Sequence, residues 1–587
     1  MKSNKSAIHK LAPIFFCLLS VLLAACGGSN TTTATTGPGK APENQQIAVI
    51  PLEGVADAQT LDPAIGTDSA SVWPAELIFT GLVSLNDKLA VEPQLAQSYS
   101  VAADGVTWTF KLRPNLKFSD GAPLTSADIA YSLDRAFKPE LKSSTSPIYL
   151  ALLKDGDKRY AGKIPTLIGD SIKIPDPQTV ILTTTQPAIY FLDTLTFACA
   201  YTVEKSLIDK YGDSKFTDHL NEGGGAGPWK VSKYIHSQYI EFTPNTNYFG
   251  PKPQLKKLVM PFYASSDTAY KDYQVGRISA AIVPPSQVDG ARALPNKQYH
   301  QVPQNGIYYY AMNYLVKPFD NIKVRQAFAL ALNKDQIAHN VYKDTVIPTN
   351  HIVPQGMPGY NSNLTGPDGT TSTKGNPAKA KQLLEEGLKE EGMSVSSLPP
   401  VTVTVASRGR ADFRDEIAVV QQMWQSSLGI KVIINDIEWN KLLSDTAATT
   451  NNPKGLSFWR FDWGADYPDP QNWLTLQFDK GSPNNYENYG QNSSPQAAQQ
   501  AAMQQLMEKA DGNANPSERM QQYNQVEQQL VNDVAWLPLY QLESSIVYKP
   551  CLVGLPDNFN DAAFSPNDWG RIYISTATPC TNTSTYQ

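Results

Sequence analysis

The chain has 587 residues, 41% hydrophobic and 18% charged, with a formal net charge of −6. Single cores stop growing at about 250–300 residues, so two or three globular lobes are expected. No basic cluster or stripe appears along it, which argues against a nucleic-acid partner.

The first 25 residues carry Lys2, Lys5 and Lys10 and no acid. An apolar run from Leu11 to Ala25 follows, shorter than the ~20 residues that span a bilayer. Basic start, apolar centre and small residues before a cut make 1–25 a secretory signal. Leu23-Ala24-Ala25-Cys26-Gly27 has the pattern of a bacterial lipoprotein, in which the signal is removed before Cys26 and the sulfur is acylated. Each buried acyl CH₂ contributes about 0.8 kcal/mol, so a body anchored to the extracytoplasmic face of the cell membrane is expected, at a cell surface or in a periplasm. No second apolar run of spanning length follows, so the chain does not read as a channel or permease itself. Residues 26–46 are expected to be the lipidated cysteine and a flexible tether rich in Gly, Ser, Thr and Pro.

The folded body is expected to begin at Ile47-Ala48-Val49-Ile50. From there strand-like and helix-like segments alternate without a fixed repeat, which predicts a mixed α/β architecture. Residues 106–112 alternate with period two and predict a strand with an aromatic face. Ser126 is placed to cap a helix carrying Ile129, Leu133 and Phe137. Asn321 precedes a helix over 322–332, and Asn376-Pro377 opens another over 378–387. A strand is expected over 401–406. A helix through Ile417 and Trp424 should end at Leu428, stopped by Gly429, with a strand over 430–434. The Gln/Ala-rich stretch 496–529 predicts a pair of surface helices, the second opened by Asn515-Pro516 and ending near Asn532.

Five cysteines are present. Cys17 leaves with the signal and Cys26 carries lipid. Outside the cell disulfides persist, and Cys551 and Cys580, close together in the tail, are the expected pair, leaving Cys199 free. There is no Cys-x-x-Cys, so neither a metal site nor a thioredoxin-like role has support. Gly-x-Ser-x-Gly and His-Glu-x-x-His are both absent, and the six histidines are scattered. An enzyme is therefore not expected, nor any metal or other cofactor.

A series of blocks carries a family resemblance. They run from Thr60-Leu61-Asp62-Pro63 through Thr80-Gly81-Leu82-Val83, Val91-Glu92-Pro93-Gln94-Leu95-Ala96, Asp104–Arg113 and Lys117–Asp128. Later blocks are Gly225-Ala226-Gly227-Pro228-Trp229, Asn245–Gly250, Val324-Arg325-Gln326-Ala327, Trp463–Pro470 and Leu537-Pro538-Leu539-Tyr540. In order and spacing the chain resembles the family 5 extracellular solute-binding proteins, the oligopeptide, dipeptide and nickel receptors of ABC importers. The resemblance implies a two-lobed periplasmic-binding-protein-like fold (type II, cluster C) with an extra subdomain inserted in the first lobe. Lobe I is then expected at 47–305 plus 543–587, the inserted subdomain at about 86–200, and lobe II at 306–542. Hinge strands are expected at 307–313 and 536–540. The implied function is that of a monomeric receptor that closes on a peptide and delivers it to ABC permease subunits. The same fold binding oligosaccharides, opines or metal chelates stays open, as does a sensory or chaperone role.

A peptide receptor needs a buried carboxylate for the amino end, a cation for the carboxyl end and neutral walls between. The resemblance places Asp466, in Trp463-x-x-Asp466, on the α-ammonium group; the alternative is a turn cap beside Pro468. Trp463 is expected to be a pocket wall or a core tryptophan. Dipeptide receptors of the family hold the carboxyl end with an arginine in the segment of Arg408, Arg410 and Arg414, although three arginines here also suit a solvated turn. Tyr149 lies where oligopeptide receptors place a cleft tyrosine, or it packs within the subdomain. Asp462 and Asp469 make the Trp463 segment unusually acidic, favouring dicationic ligands or reflecting turn chemistry.

Overall fold

Period-two alternation along 47–49 sends Ala48 to one core and Ile47 and Val49 to another on the opposite sheet face. The computed structural model describes residues 39–556 and 565–586. The signal, Cys26 and the tether to residue 38 lie outside the described residues. Among the described residues, the first lobe is built on Ile47–Val49 and Leu52–Glu53, both parallel to Lys257–Tyr263, with the antiparallel strands Tyr239–Pro244 and Trp229–Ile235 beyond. The expected tether is shorter than predicted, because 40–46 belongs to this lobe. Ala41 N donates to Ile574 O at 2.8 Å, and the buried Gln46 amide donates to Ala41 O at 2.7 Å and Ile574 O at 2.8 Å. The tail that carries Ile574 is closed by a Cys551–Cys580 disulfide, while Cys199 is a buried free thiol.

The inserted subdomain is a four-stranded antiparallel sheet in the order 96–101, 107–112, 179–183, 172–176. Trp108, Phe110 and Leu112 alternate into its core against Ile129 and Leu133 of the helix Ser126–Ala136. The cap of that helix is Thr125, not Ser126: Asp128 Oδ2 returns to Thr125 N at 2.8 Å in a capping box, and Ser126 Oγ donates instead to Asp176 O.

The second lobe holds most of a seven-stranded sheet, ordered 280–282, 537–548, 299–312, 458–464, 401–405, 432–436, with 346–348 also on 537–548. Its two long strands pass from lobe to lobe. Tyr299–Pro303 face Val547–Glu543 beside the first-lobe core, and Ile307–Tyr310 face Gln541–Leu537 inside the second-lobe cores. Between them the register breaks at Pro303–Ile307, where Pro303 has no N–H to continue the ladder.

Helix ends follow the local chemistry. Asn321, Asn376 and Asn515 each accept a backbone N–H of the helix they open, and Gly429 (φ +69°) ends Ala411–Leu428. The helix Pro377–Glu390 runs through Gly387 rather than stopping there. A Cβ at Gly387 would lie 2.9 Å from Val324 Cγ2, so the glycine serves close packing against Ile322–Leu330. The helices Ala497–Asp511 and Pro516–Asp533 form as expected, but each buries a face, including Met507, Tyr523, Val526 and Leu530.

Candidate functional site

The strand Phe458–Gly464 ends beside the lobe crossing, with Gly464 opposite Gly306 and Ala465 N donating to Asn305 O at 2.9 Å. The next residue is Asp466. Its position is set by Asn472, a fully buried side chain two residues past Pro470. Asn472 Oδ1 accepts Trp463 Nε1 at 3.0 Å and Asp466 N at 3.1 Å, and Asn472 Nδ2 donates to Asp466 Oδ2 at 3.2 Å. The other carboxylate oxygen accepts Tyr149 Oη at 3.2 Å. Tyr149 ends the short helix Ser146–Tyr149 of the inserted subdomain and stacks on Phe197, centroids 3.6 Å apart and planes 6° from parallel. Trp463, Asp466 and Tyr149 are therefore brought together, with Asn472 and Phe197 as partners that no sequence motif announced.

Burial pushes the Asp466 carboxyl above its usual range, opposed by the bonds from Asn472 and Tyr149. Both donors are neutral. The two neighbouring acids differ in this respect. Asp469 is buried and bidentate with buried Arg519, at 2.6 and 2.7 Å, and also caps Gln471 N at 2.8 Å. Asp462 takes Arg408 Nη2 at 2.6 Å, and that guanidinium lies 3.4 Å over the Trp439 ring. The acidity of the segment is thus largely matched within the protein, and Asp466 is the member with no cation partner among the described residues.

The three candidate arginines separate. Arg408 is held by Asp462 on the strand that leads to Asp466. Arg410 pairs with Asp412 and lies 3.8 Å over Phe413, while Arg414 is exposed with no ion pair among the described residues. Behind the site, Arg460 and Glu416 form a buried bidentate pair at 2.8 and 2.6 Å, and Tyr540 Oη donates to Glu416 at 2.8 Å. This pair fixes the strand carrying Asp462 and Trp463. Beside Asp466, Tyr467 packs into the subdomain core and stacks on Tyr190, so the carboxylate sits where the second lobe meets the subdomain.

Among the described residues no group of three or more His, Cys, Asp or Glu is arranged to hold a metal ion, and no helix is long and apolar enough to cross a membrane.

A family model described as bacterial extracellular solute-binding proteins, family 5, matches residues 90–485. The dipeptide-binding protein DppE of Bacillus subtilis is 27% identical over 526 residues, covering 89% of this chain and 92% of that protein. The oligopeptide-binding protein OppA of the same organism is 29% identical over 483 residues, covering 80% and 84%. Among solved structures, the murein tripeptide binding protein MppA in its unliganded open form matches with a TM-score of 0.77 at 22% identity, covering 92% of this chain and 99% of that one. OppA of Haemophilus influenzae in complex with RPPGFSPFR matches with a TM-score of 0.65 at 20% identity, covering 90% and 99%. These likenesses show the two-lobed type II periplasmic-binding-protein fold with its inserted subdomain.

Proposed function

The chain belongs to the bacterial extracellular solute-binding proteins of family 5, and from that premise we propose that it captures peptides by their free α-ammonium group at Asp466. The carrying observation is the mismatch within one segment: Asp462 and Asp469 each have an arginine, whereas among the described residues Asp466 has only the neutral side-chain donors Tyr149 and Asn472. A peptide ammonium supplies the missing cation through charge-assisted bonds, roughly twice as strong as neutral ones. Trp463 and the Tyr149–Phe197 stack supply walls. The relatives named as dipeptide- and oligopeptide-binding proteins support this ligand class.

In this reading the protein is a monomeric receptor, anchored through Cys26 to the outer face of the membrane and serving the permease of an ABC importer. Lobe I begins near residue 40 and includes the tail from about 543, lobe II spans about 306–542, and closure bends the crossing strands near Pro303–Ile307. The reading is one of binding, not catalysis. Native mass spectrometry of protein expressed without residues 1–26, before and after mild denaturation, tests it. Release of peptides with free amino ends, lost in Asp466→Ala, is the expected result. An empty protein stabilised by cello-oligosaccharides and not by a peptide mixture overturns the ligand while keeping the fold.

A further inference from the structure

A cavity of about 220 Å³ lies on the first-lobe side of the crossing strands. Leu52, Trp73, Ile282 and Tyr548 give it apolar walls, and among the described residues lining it Glu53 alone carries a charge. Gln304, also in the lining, precedes Asn305, whose carbonyl accepts the N–H of Ala465 next to Asp466. The crossing strand thus links the lining of the cavity, through its backbone, to the segment that carries Asp466.

Glu53 closes the two-residue strand Leu52–Glu53 that pairs with Tyr263. Its Oε1 accepts Ile282 N at 2.8 Å. Its Oε2 is buried with no hydrogen-bond partner among the described residues, and the Ser266 hydroxyl lies beside the same carboxyl. Burial pushes this carboxyl up to about 7. A carboxylate among apolar walls is costly without a partner, and a cation arriving with its own apolar stem satisfies both parts of the lining.

We propose that this cavity is a subsite for a long cationic side chain of the bound peptide, that of lysine, ornithine or arginine. The aliphatic stem packs on Trp73 and Tyr548, and the charged head pairs with the Glu53 carboxyl in the lining. A purely aliphatic side chain fills the walls but leaves Glu53 unmatched. The assignment rests on the peptide reading of the Asp466 site. It also gives the second acid that a dicationic ligand meets, a role that Asp462 and Asp469, held by Arg408 and Arg519, do not supply.

Calorimetry at pH 8 on the mature receptor tests it, with alanine-based tripeptides carrying lysine, Nε-acetyllysine or norleucine at each position in turn. At one position lysine is expected to bind about tenfold or more tighter than its acetylated and norleucine counterparts. In Glu53→Gln, whose folding is checked by thermal unfolding, that ratio is expected to fall to about one. Equal affinity for lysine and acetyllysine at every position in the wild type, or a lysine preference that survives in Glu53→Gln, overturns the subsite. The first of these needs no variant. Binding of all the peptides without preference sinks the subsite alone, whereas binding of none sinks the peptide reading and the subsite with it.

Discussion

Tyr149 and Asp466, 317 residues apart, meet at 3.2 Å, the phenol of the inserted subdomain donating to the carboxylate of the second lobe. The bond joins the subdomain to the second lobe at the acid of its segment that has no cation partner among the described residues. In the proposed reading, an ammonium bound at Asp466 sits beside this inter-lobe bond, which would couple occupancy to closure.

Removing the charge at Asp466 while keeping its shape is expected to weaken peptides with free amino ends. A hydrogen bond to a charged group contributes about 1.5–3 kcal/mol, so Asp466→Asn should raise Kd by roughly 10–100-fold. N-acetylation of the peptide should cost a similar factor in the wild type and little more in the variant, because both changes remove one interaction. Calorimetry on the four combinations checks it; additive losses would place the ammonium elsewhere.

Arg519→Met should unfold the protein more easily without removing any ligand contact. It leaves Asp469 buried and uncompensated, a loss of about 3–5 kcal/mol for a broken buried pair. Asp469→Asn added to Arg519→Met should recover part of it, since the stranded charge is gone. Urea unfolding followed by tryptophan fluorescence reads both steps.

The scaffold was readable where its causes are local. Asparagine caps at 321, 376 and 515 and the left-handed Gly429 follow from neighbouring residues alone. Gly387 misled because its reason is a facing helix, and Ser126 because Asp128 selects Thr125 as the cap. At the site, Trp463-x-x-Asp466 was legible as a motif. The pairings that single out Asp466 were not, since Arg408 and Arg519 reach Asp462 and Asp469 across 54 and 50 residues. Glu53, one acid on a two-residue strand, carried no signal until the fold placed it in an apolar cavity.

Stability of the unliganded protein should fall as pH rises from about 5 to 8. Burial raises Glu53 and Asp511 to about 7 and Glu487 to about 8. In that window the native state holds protons that the unfolded chain has released, so stability is highest at the acid side and is lost as pH climbs through the raised values. Glu487→Gln should flatten the slope, having no proton to lose. Denaturant midpoints at pH 5.5, 7 and 8.5 measure it, and a midpoint that rises with pH would contradict the burial argument.

Amidation of the peptide carboxyl end should cost far less than acetylation of the amino end. Arg408 is already held by Asp462 and Trp439, Arg410 by Asp412, and Arg414 lies in solvent. An exposed ion pair contributes about 0.2–1 kcal/mol, so the expected loss is no more than about fivefold. Affinities of one tripeptide with free, acetylated and amidated ends give the comparison directly. A loss on amidation as large as that on acetylation would mean that a guanidinium leaves its internal partner on binding. Arg408 is then the residue to examine, because Asp462 holds it on the strand that leads to Asp466. Arg408→Ala would abolish the difference between the amidated and free peptides in that case, and would leave it unchanged if Asp462 keeps the arginine.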